Sequence, residues 1–139
     1  MALAADRDYA VAGVTEVVPV KLTASVQYFK GGILQFDAAT GLAKKPADVA
    51  GEFGVGVLKK GYPNSAAVQD AELEVGKIWI PLATAAQADV GDWVYVTADD
   101  TITKTALTNG GPCGIVLAAK VGVSLLVDFR RGGPKTLSA

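Results

Sequence analysis

The chain has 139 residues, enough for one domain with a core of its own. Its 13 Lys and Arg against 14 Asp and Glu leave a net charge of -1, without the basic excess of a nucleic-acid binder or of a protein held on an anionic membrane. With no His and one Cys, Cys113, it excludes Ser-His-Asp and Cys-His nucleophile systems, His-based metal sites, four-cysteine zinc sites and an intrachain disulfide.

In chain order the signal is period two or short apolar runs, punctuated by Gly, Pro, Asn and Asp. The start, Met1-Ala-Leu-Ala-Ala-Asp-Arg-Asp8, lacks a basic region followed by a long apolar stretch, so no signal peptide is expected. Residues 1–13 read as an N-terminal arm, flexible or bound to a partner. The single β domain is expected over 14–130. Val14 to Leu22 reads as a strand with Val18, Val20 and Leu22 on one face, and Gly32 to Asp37 as a second. Asp37-Ala-Ala-Thr-Gly41 is a turn, Leu42 to Lys44 returns, and Gly54 to Lys59 is another strand. Ala71 to Leu82 places Ile78 and Ile80 on one face and Trp79 on the other, with Pro81 marking an edge or an end. Ala83 to Val90 is a short helical or irregular connection.

Trp93 to Thr97 and Ile102 to Thr105 form a further pair around a turn at Asp99-Asp100. After the break Asn109-Gly-Gly-Pro112 come Gly114 to Ala118 and Val123 to Phe129. About nine short strands with close turns predict an all-β class, a compact sandwich or barrel-like body. Residues 131–139 read as a flexible or partner-bound tail.

A shift of 60 residues lays one half on the other without a gap. Gly31 falls on Gly91, Lys44 on Lys104, Gly51 on Gly111, Gly54 on Gly114 and Lys60 on Lys120; Val18, Val20 and Leu22 fall on Ile78, Ile80 and Leu82. Matching glycines mark matching backbone constraints, and matching apolar positions keep one face inward. Residues 18–60 and 78–120 are therefore expected to form two similar β lobes.

Half of the residues are hydrophobic and only 19% are charged, against about 25% in an average domain. Yet there is no apolar run of 18, so no membrane-spanning helix is expected. This composition leaves two readings: part of the surface is hidden against other chains, or a β core is rich in Ala and Gly. The P-loop and dinucleotide patterns both fail at Gly54-Val-Gly-Val-Leu-Lys-Lys-Gly61. No run matches a calcium loop. Glu72 and Glu74 share a strand face and are the residues an acid/base site would use, but such a pair is more often a solvated face. No catalytic residue, metal site or cofactor is assigned.

The order of short motifs carries a resemblance. Gly54-Val-Gly-Val57 is followed by Glu74-Val-Gly-Lys-Ile-Trp-Ile-Pro-Leu82, Gly91-Asp-Trp-Val-Tyr-Val96, Ile102-Thr103, Gly114-Ile-Val-Leu117 and Val123-Ser-Leu-Leu-Val-Asp-Phe129. Across roughly residues 30 to 130 this resembles the small phage capsid decoration (cement) proteins, a domain-of-unknown-function type encoded beside major capsid genes. The resemblance implies a non-enzymatic structural virion protein, made in the host bacterial cytoplasm and bound between capsomers on the outer capsid surface. Its partners would be the major capsid protein and copies of itself, a trimer before a dimer, with neither nucleic acid nor membrane involved. The alternative is a carbohydrate-binding β module that uses exposed aromatics.

For either function the candidate interface residues are Trp79, Trp93, Tyr28, Phe29, Tyr62, Arg130 and Arg131. Strand parity leaves Trp79 evenly poised between surface and a second buried face, and leans Trp93 toward the core. Tyr28, Phe29 and Tyr62 lie near loops. Arg130, Arg131 and Lys135 are placed to reach an acidic capsid surface. Cys113 is expected to pack as a small apolar group.

Overall fold

The computed structural model describes residues 2–133. Its strands are β1 (Ala10–Leu22), β2 (Ile33–Phe36), β3 (Ala43–Lys44), β4 (Gly54–Leu58), β5 (Gln69–Pro81), β6 (Trp93–Ala98), β7 (Thr101–Thr103), β8 (Gly114–Lys120) and β9 (Ser124–Asp128). The only helical pieces among the described residues are 3₁₀ turns at Gln87–Asp89 and Phe129–Arg131. The alternation of β-branched and polar residues thus dictates strands throughout, and the Ala-rich connection after β5 forms a single turn.

The nine strands make one sheet in the order β1-β3-β2-β4-β5-β9-β8-β6-β7, and β1 also pairs with β5. That extra pairing closes the first half. β1 runs antiparallel to β5 from Ala10 opposite Trp79 to Leu22 opposite Gln69. At its end, Leu22 makes a parallel rung with Ala43 of β3. The ring β1-β3-β2-β4-β5-β1 is a five-stranded barrel, which leaves no edge around most of its rim. Its interior is Val20, Leu22, Leu34, Ala43, Leu58, Ala71 and Leu73, joined by Tyr28.

The C-terminal part of β5 leaves the barrel and enters an antiparallel sheet with β9, β8, β6 and β7. The inward side chains of that sheet include Ile78, Ile80, Val94, Val96, Val116, Leu125 and Val127, and they pack on Ile33 and Val57. Those two residues stand on the outside of the barrel strands β2 and β4. One apolar layer therefore serves both as the core of the second half and as the joint between halves. Gly76 sits where β5 passes from one half to the other, with φ of 150° and Thr15 against it. There β1 bulges, with residues 13–15 spanning the gap between Ala12–Lys77 and Glu16–Val75.

A shift of 60 carries the bounds of β2 and β4 onto the starts of β6 and β8, and moves β1 to 70–82, against β5 at 69–81. The order β3-β2-β4-β5 also parallels β7-β6-β8-β9. The two halves differ in closure, because among the described residues no rung joins β7 to β5 as Leu22–Ala43 joins β1 to β3.

The ends depart from expectation. β1 begins inside the expected arm, and the residues before it are tied down. The Leu3 N–H donates to Asp99, the Arg7 N–H to the Lys30 carbonyl, and the Lys30 N–H to Asp6. Backbone groups that would otherwise be solvated find partners on the body, so residues 3–10 belong to it. At the other end, Arg131 closes a 3₁₀ turn and the Gly133 N–H donates to the Pro112 carbonyl. The rest of the expected tail, Lys135 included, lies outside the described residues.

Candidate interface

Directly opposed residues of paired strands put their side chains on the same face. Register alone therefore assembles the outer face of the second half. One row runs Ala118, Leu126, Trp79, Ala10 across β8, β9, β5 and β1. The next runs Trp93, Ile115, Asp128, Lys77, Ala12 across β6, β8, β9, β5 and β1. A third, Lys120, Ser124, Pro81, lies beyond Trp79. Both tryptophans share this face, which points away from the inner layer of Ile78, Val94, Val116 and Val127.

Trp93 is 46% exposed, whereas Val94 and Val96 are buried, so the lean of Trp93 toward the core is corrected. Alternation defines two faces of a strand without saying which is inward, and here the valines meet the β2 and β4 side of the barrel. Trp79 is half-buried, and the Lys120 Nζ lies 4.5 Å from the centroid of its ring. Beyond the rows, the β8–β9 tip displays Val121 and Val123, both largely exposed.

Arg130 and Arg131 sit beside Asp128 of the second row, with their Nε atoms 3.5 and 3.4 Å from its carboxylate. The Arg130 N–H also donates to Asp128. The chain turns there because Asp128 caps the 3₁₀ turn that holds both arginines.

The other three aromatic candidates are not brought to this face. Tyr28 is only 2% exposed, which corrects its reading as a loop contact. Its ring fills the barrel core, its hydroxyl contacts Thr23, and its backbone exchanges two 2.9 Å hydrogen bonds with Tyr62. Phe29 and Tyr62 are half-buried, near Lys45 and Lys60 at 5.8 and 5.2 Å. With residues 4–6 they border a depression of about 380 Å³ on the first half. Trp93 borders another, of about 340 Å³, with Asp92, Tyr95, Lys104 and Ala106.

The carboxylates are engaged in structure. Glu74 accepts from the hydroxyls of Tyr9, at 2.6 Å, and Thr15. Burial opposes its ionisation, but those two donors and Lys59 hold its pKa below the usual range. Glu72, on the same strand, is exposed. Buried Glu52 is paired with Lys44 at 2.7 Å and receives hydrogen bonds from Gln35 and the Ala38 N–H. Buried Asp89 pairs with Lys104 at 2.6 Å. Asp99 accepts from Leu3 in the β6–β7 turn, the role expected for the Asp99-Asp100 pair. No group of three or more Cys, Asp or Glu side chains suited to a metal ion occurs among the described residues.

Sequence reasoning missed Lys77, Ile115, Lys120, Leu126 and Asp128 as members of the outer face. The alternation of Ser124, Leu126 and Asp128 against Leu125 and Val127 was visible. Their alignment with Trp79 and Trp93 needed the pairing of strands far apart in sequence. Compared with models of known protein families and with curated protein sequences, the chain matches none.

Proposed function

We propose that this chain is a structural virion protein that binds the outer surface of a phage capsid between capsomers and stabilises the shell. The observation that carries this reading is the placement of both tryptophans on the outer side of one sheet, Trp93 46% exposed and Trp79 half-buried. Large aromatics on a sheet surface suit burial against another protein. The sequence resemblance points the same way.

The mechanism is additive contact. A shell packed with DNA fails where capsomers meet. A rigid body seated across that junction buries area on several subunits at once, and each contact made raises the effective concentration of the next. The joint between barrel and sheet supplies rigidity, since Ile33 and Val57 tie the halves through one core. Self-association as a trimer would multiply the contacts. No bond is made or broken.

The test is cosedimentation with empty shells of the phage that encodes the chain. Saturable binding is expected, and shells stripped of the chain should break at lower temperature or force. A chain that stays monomeric and ignores the shells sinks the proposal.

A second reading rests on the depression beside Trp93, where Tyr95, Asp92 and Lys104 surround an exposed ring. An aromatic platform with flanking polar groups suits a sugar. A micromolar hit on a glycan array, lost in Trp93→Ala, would favour this reading.

A further inference from the structure

We infer that the outer face of β5, β9, β8 and β6 docks on an acidic protein surface, and that Lys120 leaves the Trp79 ring to pair with a partner carboxylate. This rests on the shell-binding reading and names the chemistry of the partner at the same face.

Charge points to an acidic partner. Lys77 and Lys120 stand in the rows of this face, and Arg130 and Arg131 lean over its edge at Asp128. Asp128 is the one carboxylate within the three rows, and both arginines already share it. Asp92 lies at the rim beside Trp93. A chain of net charge -1 thus gathers four cations on one face. Lys120, Arg130 and Arg131 are exposed in the free chain, and covering them with neutral surface would strip their water without return. Opposed carboxylates offset the loss, and the more so because the surrounding Trp93, Ile115 and Ala118 lower the local dielectric once water is expelled.

The state of Trp79 favours a protein over a nucleic acid. Its ring is half-buried and covered by Lys120 at 4.5 Å. A nucleic-acid base needs an open aromatic face to stack upon, and here only Trp93 offers one. Asp128, only 4% exposed, already engages both arginines, which leaves fewer free cations for a phosphate backbone. A protein surface carrying separate carboxylates and apolar side chains fits both features, while a uniform polyanion fits neither. Lys120 is exposed and on a flexible stem, so exchanging a cation–π contact for an ion pair costs little.

The experiment is cosedimentation of the intact chain with empty shells of the phage that encodes it, at about 0.05 and 0.15 M salt. Wild-type affinity should fall with salt. Lys77→Gln/Lys120→Gln should bind at least about tenfold more weakly at low salt, with a flatter salt dependence. Lys59→Gln/Lys60→Gln, on the first half, should match wild type. Thermal melts establish that both variants fold. If wild type binds and the Lys77/Lys120 variant binds equally, the inference is overturned and the shell-binding reading stands. If wild type does not bind, both fall. The chain's only two tryptophans lie on this face, so their fluorescence reads it directly. Quenching by oligothymidylate in wild type, lost in the same variant, would overturn the inference in favour of nucleic acid.

Discussion

Gly54 and Cys113 meet back to back at the joint between the halves: a Cβ built on Gly54 would lie 2.9 Å from the Cys113 Cβ. Ile33 and Val96, one from each half, close the same space at 3.3 and 3.4 Å. No side chain fits at position 54 unless the two layers part. Gly54→Ala should therefore destabilise the chain by about 1–3 kcal/mol, the usual range for overpacking. Adding Cys113→Gly should recover part of the loss, and a double-mutant cycle from urea melts reads the coupling. Simple additivity would show that the contact is not the cause.

Cys113 is fully enclosed, and burial pushes its thiol pKa up to about 12. The thiolate is the reactive species, so the native chain should resist a thiol reagent at pH 8 and react at once in denaturant. Rapid labelling under native conditions would mean that the joint opens readily.

Because β5 belongs to both cores, the halves should unfold together. Leu73 of β5 is sealed in the barrel and Ile78 in the second core. Leu73→Ala and Ile78→Ala should each cost about 2–5 kcal/mol. Each should lower one common transition seen by tryptophan fluorescence, which reports the second half, and by circular dichroism. Two separated transitions after Leu73→Ala would show that the barrel melts alone.

Acid should destabilise the fold through carboxylates held in charged form. Hydrogen bonds from the Ala39 and Thr40 N–H groups lower the pKa of Asp37, and Lys104 with the Ala86 N–H lowers that of Asp89. Burial works against Glu52, but Lys44, Ala38 and Gln35 outweigh it and its pKa too is lowered. A folded pKa below the unfolded one gives stability that is complete above the unfolded value, about 4, and is lost as pH falls through the folded value. Melting temperature should be flat near neutrality and fall below about pH 4. Asp89→Asn should lower the plateau and flatten the decline.

Tyr9 ties the start of β1 to β5 through its 2.6 Å hydrogen bond to Glu74. Tyr9→Phe should cost about 1 kcal/mol in a urea melt and raise amide exchange in the first residues of β1. Unchanged exchange there would show that the β1–β5 ladder holds the segment without help.

Local chemistry on its own determined the strands. Alternating Val, Ile and Leu, with Gly, Pro, Asn and Asp between the runs, is enough to place β2, β4, β6, β8 and β9 within a residue or two, because a pleated backbone imposes period two on its burial. Only the tertiary structure decided which face of each strand looks inward. Trp93 went outward because Val94 and Val96 met the barrel wall, and Tyr28 went inward because its backbone paired with Tyr62 and carried the ring into the barrel. It alone decided that Leu22 would reach Ala43 and close one half, and that Trp79, Leu126 and Lys120 would share a surface. Those outcomes depend on which distant strands become neighbours, and a periodicity of two carries no information about that.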